Sequence, residues 1–167
     1  SCTSWQSKLD SRLAGAVMGI QAFKAVEIGL GTECAARVGS EVHDPIHFDN
    51  ATRDQSHFGF TRPTNSAGGI EGGMSNGMPV VVRGTMKPIS TLLQGMDSVD
   101  LRSGDAQRSD YERSDVCALP AASVVMENVV GFEIAVAFLE SFGGSTIEVV
   151  RAAHDAFADA ARKIVPS

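Results

Sequence analysis

Residues Ala67 to Gly77 read AGGIEGGMSNG, with five glycines. Glycine permits positive φ and lets backbone N–H groups approach an anion or a flat ring closely. Such a segment is either a loop laid against a phosphate or cofactor, or a glycine-rich hairpin or bulge. Composition leaves both open. The dinucleotide fingerprint needs GxGxxG between a strand and a helix, whereas here the spacing is GGxxGG and a strand follows. No Gly-Lys-Ser/Thr follows either, so the P-loop pattern is absent. Lys87-Pro88-Ile89-Ser90-Thr91 closes an apolar run. A lysine, two hydroxyls and a rigid proline at a strand end could cradle a phosphate, and a plain exit with a solvated lysine is the simpler reading. Arg113-Ser114-Asp115 precedes a long apolar segment. Asp115 there could act as a base or cap a helix start, and capping is the commoner role. Cys117 beside it reads as a packed thiol, because only a lowered pKa would make it a nucleophile. His43, Asp44, His47, Asp49, Asp54 and His57 share one polar loop. Imidazoles with carboxylates can bind zinc or iron, but this spacing matches no standard signature and a solvated loop is preferred. His154 falls on the last helix and is expected to face solvent. No GxSxG context supports a Ser-His-Asp hydrolase.

The elements that would position these groups follow from periodicity. Leu9, Leu13, Val17 and Ile20 recur at helical spacing, and Ser7-Lys8-Leu9-Asp10 resembles a capping box, so a helix is placed at about 7–22. Phe23 to Ile28 suggests a strand that ends in a turn at Gly29 and Gly31. A short helix is expected over 32–38, then a polar, turn-rich stretch from Gly39 to Ala67 that is long for a structureless loop. Pro79 to Met86 reads as a strand and Met96 to Leu101 as a weaker one, followed by a polar run from Arg102 to Arg113. Pro120 suits the first turn of a helix running to about Phe142. Gly143-Gly144 ends it. Ser145-Thr146-Ile147-Glu148 opens another helix, which runs to about Val165 and is closed by Pro166. Helix, strands and helices without strict βαβ alternation point to an α+β fold.

The 167 residues suit one domain or part of a larger one. With 14 Lys and Arg against 20 Asp and Glu, the net charge of −6 excludes a generally basic nucleic-acid binder. Cys2, Cys34 and Cys117 are an odd number without framework spacing and read as reduced thiols in a cytoplasmic protein. No basic region followed by an apolar stretch marks a leader. Leu119 to Phe142 contains Glu127, Glu133 and Glu140, which favours a buried helix of a soluble protein over a membrane span. Ser1 stands where an initiator Met would be, which leads to the expectation that something is lost upstream.

Several blocks, taken in order, resemble chorismate synthase. They are Met18-Gly19-Ile20-Gln21-Ala22-Phe23-Lys24-Ala25-Val26-Glu27-Ile28-Gly29, Gly39-Ser40-Glu41-Val42-His43-Asp44, the glycine-rich segment from Ala67 to Gly77, Lys87 to Thr91, and Arg113-Ser114-Asp115-Val116-Cys117. The last form and the first helix resemble the actinobacterial branch. The resemblance spans essentially all of residues 1–167 but only the C-terminal half of the family's length. The family's N-terminal half, with its histidine acids and most substrate arginines, lies outside it. The stretch from Pro45 to Pro63 matches poorly and is expected as a lineage-specific loop without fixed structure. Ser103 to Glu112 is also weakly matched.

The resemblance implies a fold in which long buried helices lie between antiparallel sheets as a layered β-α-β sandwich. It implies a homotetramer with cofactor and substrate close to a subunit interface. The implied reaction is a 1,4-elimination of phosphate from 5-enolpyruvylshikimate 3-phosphate in the shikimate pathway. That reaction requires reduced FMN without net redox change. By the same resemblance Gln21 and Ala22 match flavin contacts and Gly72 a glycine against the cofactor. Lys87, Pro88, Ile89, Ser90 and Thr91 match the flavin-holding segment. Arg113 matches an arginine on flavin near substrate, and Asp115 the carboxylate that helps take a proton at flavin N5. The implied partners are the substrate, the family's N-terminal half and further copies of the chain, with no nucleic acid or membrane, and no metal site is implied. This chain alone is expected to be inactive. Two other readings differ in kind: a non-catalytic flavin- or anion-binding module, and a metal-dependent hydrolase built on His43, His47 and His57.

Overall fold

A computed structural model describes residues 3–165. Cys2 and Pro166, a thiol and a helix stop in the reading above, lie outside the described residues. Helix α1 spans Leu9–Met18, and its i, i+4, i+8 residues Leu9, Leu13 and Val17 are all buried. The expected capping box does not form. Ser7 belongs to a 3₁₀ turn (Trp5–Ser7), Lys8 is the N-cap, and the Asp10 carboxylate accepts from the Ser11 amide. The helix stops four residues short of the expected end because Gly19 caps it and Ala22 adopts φ +69°.

That turn feeds strand β1 (Phe23–Ile28). Among the described residues seven further strands are short: β2 (His47–Phe48), β3 (Phe60–Thr61), β4 (Ile70–Glu71), β5 (Met74–Ser75), β6 (Val82–Met86), β7 (Asp97–Val99) and β8 (Ala106–Arg108). They form four antiparallel pairs, β1–β6, β2–β3, β4–β5 and β7–β8. In β1–β6, Ile28 faces Val82 and Phe23 faces Met86, with Lys24 as an extra bulged residue. Val82, Gly84 and Met86 turn inward while Arg83 and Thr85 face out. The expected start of this strand at Pro79 has no regular ladder, because the Val81 N–H goes to Gly68 and its carbonyl takes the Gly29 N–H.

Helix α3 (Leu119–Phe142) lies beside α1 on the inner face of the β1–β6 ribbon; α2 is the single turn Gly39–Val42. One core cluster joins Leu9, Leu13 and Ile70 with Val130, Ile134 and Ala137; a second joins Val17, Phe23 and Ala122 with Met126. Arg12 crosses from α1 to Glu133 and Glu140 on α3. Helix α4 (Ile147–Arg162) packs on α3 through Val150 and a ring cluster of Phe138, Phe142, His154 and Phe157. His154 is exposed, as expected, and one face of its ring stacks on the aromatic cluster. The architecture is α+β, with small antiparallel sheets and long helices. The burial expected of α3 is met only on the α1 side: of its residues Ala122 alone is buried, because no second sheet covers the other flank among the described residues.

The loop expected to lack structure is folded. β2 and β3 close it, Phe48 and Phe60 stack at 5.3 Å, and Arg53 donates to the Arg162 carbonyl at 2.9 Å. The short helix expected over 32–38 is a 3₁₀ helix, Gly31–Ala36. Strand β8 lies inside the supposed polar run. Its partner β7 reaches it through a turn in which Asp100 accepts from the Arg102 and Ser103 amides and Gly104 takes φ +77°.

Candidate functional site

The glycine-rich segment resolves into a hairpin. Gly72 (φ +59°) and Gly73 (φ +82°) form the two-residue turn between β4 and β5, as a type I′ turn requires. The Gly73 carbonyl accepts a hydrogen bond from the Leu9 amide at the start of α1. A Cβ on Gly72 would meet nothing within 4 Å, so this turn residue presents bare backbone to open space. Gly68 does another job: a Cβ there would lie 2.4 Å from the Gly29 nitrogen. The first glycines of the motif let two backbones cross, and of the later two Gly72 is exposed while Gly73 is buried beneath the Lys8 side chain.

At the opposite end of α1, Ala22 accepts a 2.8 Å hydrogen bond from the Lys87 amide. This joins the Gln21-Ala22 turn to the Lys87-Pro88-Ile89 segment. A cleft of about 440 Å³ opens here, lined by Gly84 to Ile89 on one side and Val116, Cys117, Ala118 and Leu119 on the other. Its volume falls within the roughly 300–1,000 Å³ of small-molecule sites. Its walls are mostly apolar and carry one cation, Lys87. Cys117, expected to be packed, is an exposed free thiol on this wall.

Arg113 and Asp115 precede that wall in an exposed segment, without hydrogen bonds or ion pairs to the described residues. The N-cap of α3 is Ala118, so Asp115 is not the helix cap that residue statistics favoured. Ser90 is exposed. Thr91 lines a separate shallow hollow with Leu92 to Gly95. The structure thus gathers Ala22, Lys87, Pro88 and Ile89 with the segment that follows Asp115. Gly72 it places at the far end of α1, a ten-residue helix about 15 Å long.

Several of the loop's histidines and carboxylates are engaged in local structure. One Asp44 oxygen accepts from the Thr64 hydroxyl and the Ser66 amide, and the other from the Ala67 amide. Burial pushes this carboxyl up, but the hydrogen bonds from Thr64, Ala67 and Ser66 outweigh it, so Asp44 lies below the usual carboxylate range. Asp49 caps a 3₁₀ turn through the Ala51 amide, and His57 pairs with Gln55. Asp44 is a residue that the motif reading quoted and gave no role. Its signal was only its place in Gly39-Ser40-Glu41-Val42-His43-Asp44.

The family model for chorismate synthase matches residues 2–139. This chain belongs to the chorismate synthase family. It is 53% identical over 160 residues to the chorismate synthase of Geobacter metallireducens, an alignment that covers 95% of this chain and 41% of that protein. With the chorismate synthase of Syntrophotalea carbinolica it shares 55% over 151 residues, covering 90% and 37% respectively. A crystal structure of chorismate synthase superposes with a TM-score of 0.76 at 37% identity, covering 98% of this chain and 40% of that one. The chain therefore spans about two fifths of the length of the chorismate synthases it matches.

Proposed function

We propose that residues 1–167 are the C-terminal half of a chorismate synthase domain. It works with the family's N-terminal half on 5-enolpyruvylshikimate 3-phosphate. The reading is carried by one observation: the cleft that joins Ala22, Lys87, Pro88 and Ile89 to the segment after Asp115. In the reaction the C3–O bond breaks, inorganic phosphate leaves, and the C6 hydrogen is lost as the new double bond forms. Reduced FMN, when bound, supplies electron density that no side chain can lend.

The residues of the cleft fit that group. The apolar walls suit a flat ring and exclude water, and Lys87 offers a cation to a phosphate. Ala22 and Lys87 to Ile89 would hold the cofactor at the cleft, and Gln21, Ser90 and Thr91, which flank it, are assigned to the cofactor by the family motif alone. Arg113 would contact it and face the substrate's anionic groups, and Asp115 would be the carboxylate that takes a proton beside it. The unpaired state of Asp115 supports this role, because a carboxylate held by a helix cap would be poorly placed to move a proton. Gly72 offers bare backbone at the other end of α1. In a homotetramer with cofactors near subunit interfaces, it would meet the flavin held by another copy. The protein acts in the cytoplasm, without nucleic acid or membrane. Helix α3 is long and apolar enough to cross a membrane, yet its Glu133 and Glu140 pair with Arg12.

The test uses Cys117 as a reporter. In a complex of this chain with the N-terminal half, expressed separately and mixed, reduced FMN slows maleimide labelling of Cys117 at least tenfold, read by peptide mass. Labelling unchanged by saturating FMN contradicts the cleft assignment. FMN protection without any lyase activity would instead make the chain a binding module.

A further inference from the structure

The hairpin that carries Gly72 has only two residues in each strand, Ile70–Glu71 and Met74–Ser75. A ladder that short does not hold itself. Its anchors are therefore external. The Gly73 carbonyl takes the Leu9 amide, and Ile70 is buried in the core with Leu9 and Leu13. The third anchor is ionic. Arg62, just past β3, has a side chain only 9% exposed, and one of its terminal nitrogens stands 2.6 Å from Glu71 Oε2. The other donates a long bond, 3.4 Å, to the Asn76 carbonyl. The same Glu71 oxygen accepts from Asn76 Nδ2 at 2.6 Å, and Asn76 Oδ1 accepts from the Met78 amide. Arg62 Nε has no partner among the described residues.

A buried guanidinium is costly unless a carboxylate meets it, and the carboxylate it meets here is Glu71. Glu71 is the residue immediately before Gly72. Arg62 thus fixes Glu71 from one side while Asn76 fixes it from the other, and the turn between them has little freedom. Arg62 belongs to the loop that the sequence set apart as lineage-specific. That loop is itself tied to the end of α4 by Arg53.

We propose that Arg62 is a positioning residue for the cofactor: through Glu71 it sets the conformation of the Gly72–Gly73 turn, and so the affinity for flavin. This rests on the flavin reading of Gly72 given above. The test compares wild type, Arg62→Gln, Arg62→Lys, Glu71→Gln and the exchanged pair Arg62→Glu with Glu71→Arg, each in the complex with the N-terminal half. Amide hydrogen exchange over 69–77, reduced-FMN affinity and melting temperature are measured together. Arg62→Gln and Glu71→Gln are expected to speed exchange in the turn at least tenfold and raise the FMN Kd at least tenfold. The melting temperature should stay within a few degrees in Arg62→Gln and fall further in Glu71→Gln, where the mostly buried guanidinium loses its carboxylate; Arg62→Lys and the exchanged pair should recover part of the affinity. Glu71 is half-exposed, so Glu71→Gln keeps the test alive should Arg62→Gln fail to fold. Wild-type binding with exchange and Kd within twofold in both Gln variants overturns the role of Arg62 alone. No FMN binding by wild type overturns the flavin reading, and this role with it.

Discussion

Asp115 and Asp44 are two aspartates of one family pattern with opposite physical situations. Asp115 is exposed and unpaired among the described residues, and nothing about the fold depends on its charge. Asp115→Ala in the complex should lower turnover at least about 100-fold, the usual worth of a positioned proton acceptor. It should leave the FMN Kd within about threefold. Unchanged turnover removes its role. Asp44 holds the turn at 64–67 with three hydrogen bonds. Asp44→Asn should cost about 1 kcal/mol, because its amide would face the Ala67 N–H donor to donor. The folded carboxyl titrates below its unfolded value, near 3.9. Its stabilisation is therefore complete above about pH 4 and lost as pH falls through the lower folded value. Denaturant titrations between pH 6 and 3 should show a shallower acid-side loss in Asp44→Asn than in wild type; equal slopes contradict this. The role proposed for Asp115 comes only from the family motif, since its bare neighbourhood reads equally well as a helix start. Asp44 was illegible because its partners lie 20 to 23 residues away.

Among the elements, the glycines separate folding from function. A Cβ at Gly29 would sit 2.1 Å from the Ser66 carbonyl oxygen, at φ +60°. Gly29→Ala and Gly68→Ala should therefore abolish cooperative melting, since backbone cannot move aside as a side chain can. Gly72→Ala meets no atom and carries only the left-handed strain of about 1–2 kcal/mol. It should fold and lose flavin affinity. Equal effects at all three positions, read by thermal melts and FMN titration, would refute that division. The elements α1, β1, β6, α3 and α4 could be read from the sequence because each carries a periodic or continuous set of apolar residues between clear breakers. The caps could not. Neither Ser7 nor Thr146 accepts a capping bond, while Glu148 is pulled below the usual carboxylate range by its own amide and the Thr146 hydroxyl. β8 was missed because Ala106, Gln107 and Arg108 have no apolar alternation and depend on the Asp100 turn for their register.

At the scale of the whole molecule, α3 is the decisive feature. Its most apolar stretch has a mean hydropathy of 1.7, with Phe132, Val124 and Leu139 exposed. A helix apolar on all sides belongs inside something. Here α1 and the ribbon cover one flank and α4 the C-terminal end, and among the described residues Val124, Phe132 and Leu139 stay uncovered. The isolated chain should therefore associate, with a melt that depends on concentration; a cooperative, concentration-independent melt contradicts this. The same uncovered face is where the N-terminal half would complete the layered sandwich and bring the substrate's remaining ligands to the cleft. The most direct measurement is an anaerobic lyase assay with reduced FMN and 5-enolpyruvylshikimate 3-phosphate, on each half alone and on the two combined. Stoichiometric phosphate and chorismate from the combined halves, and none from either alone, is the predicted result. A stable, FMN-binding complex of the two that releases no phosphate would contradict the account.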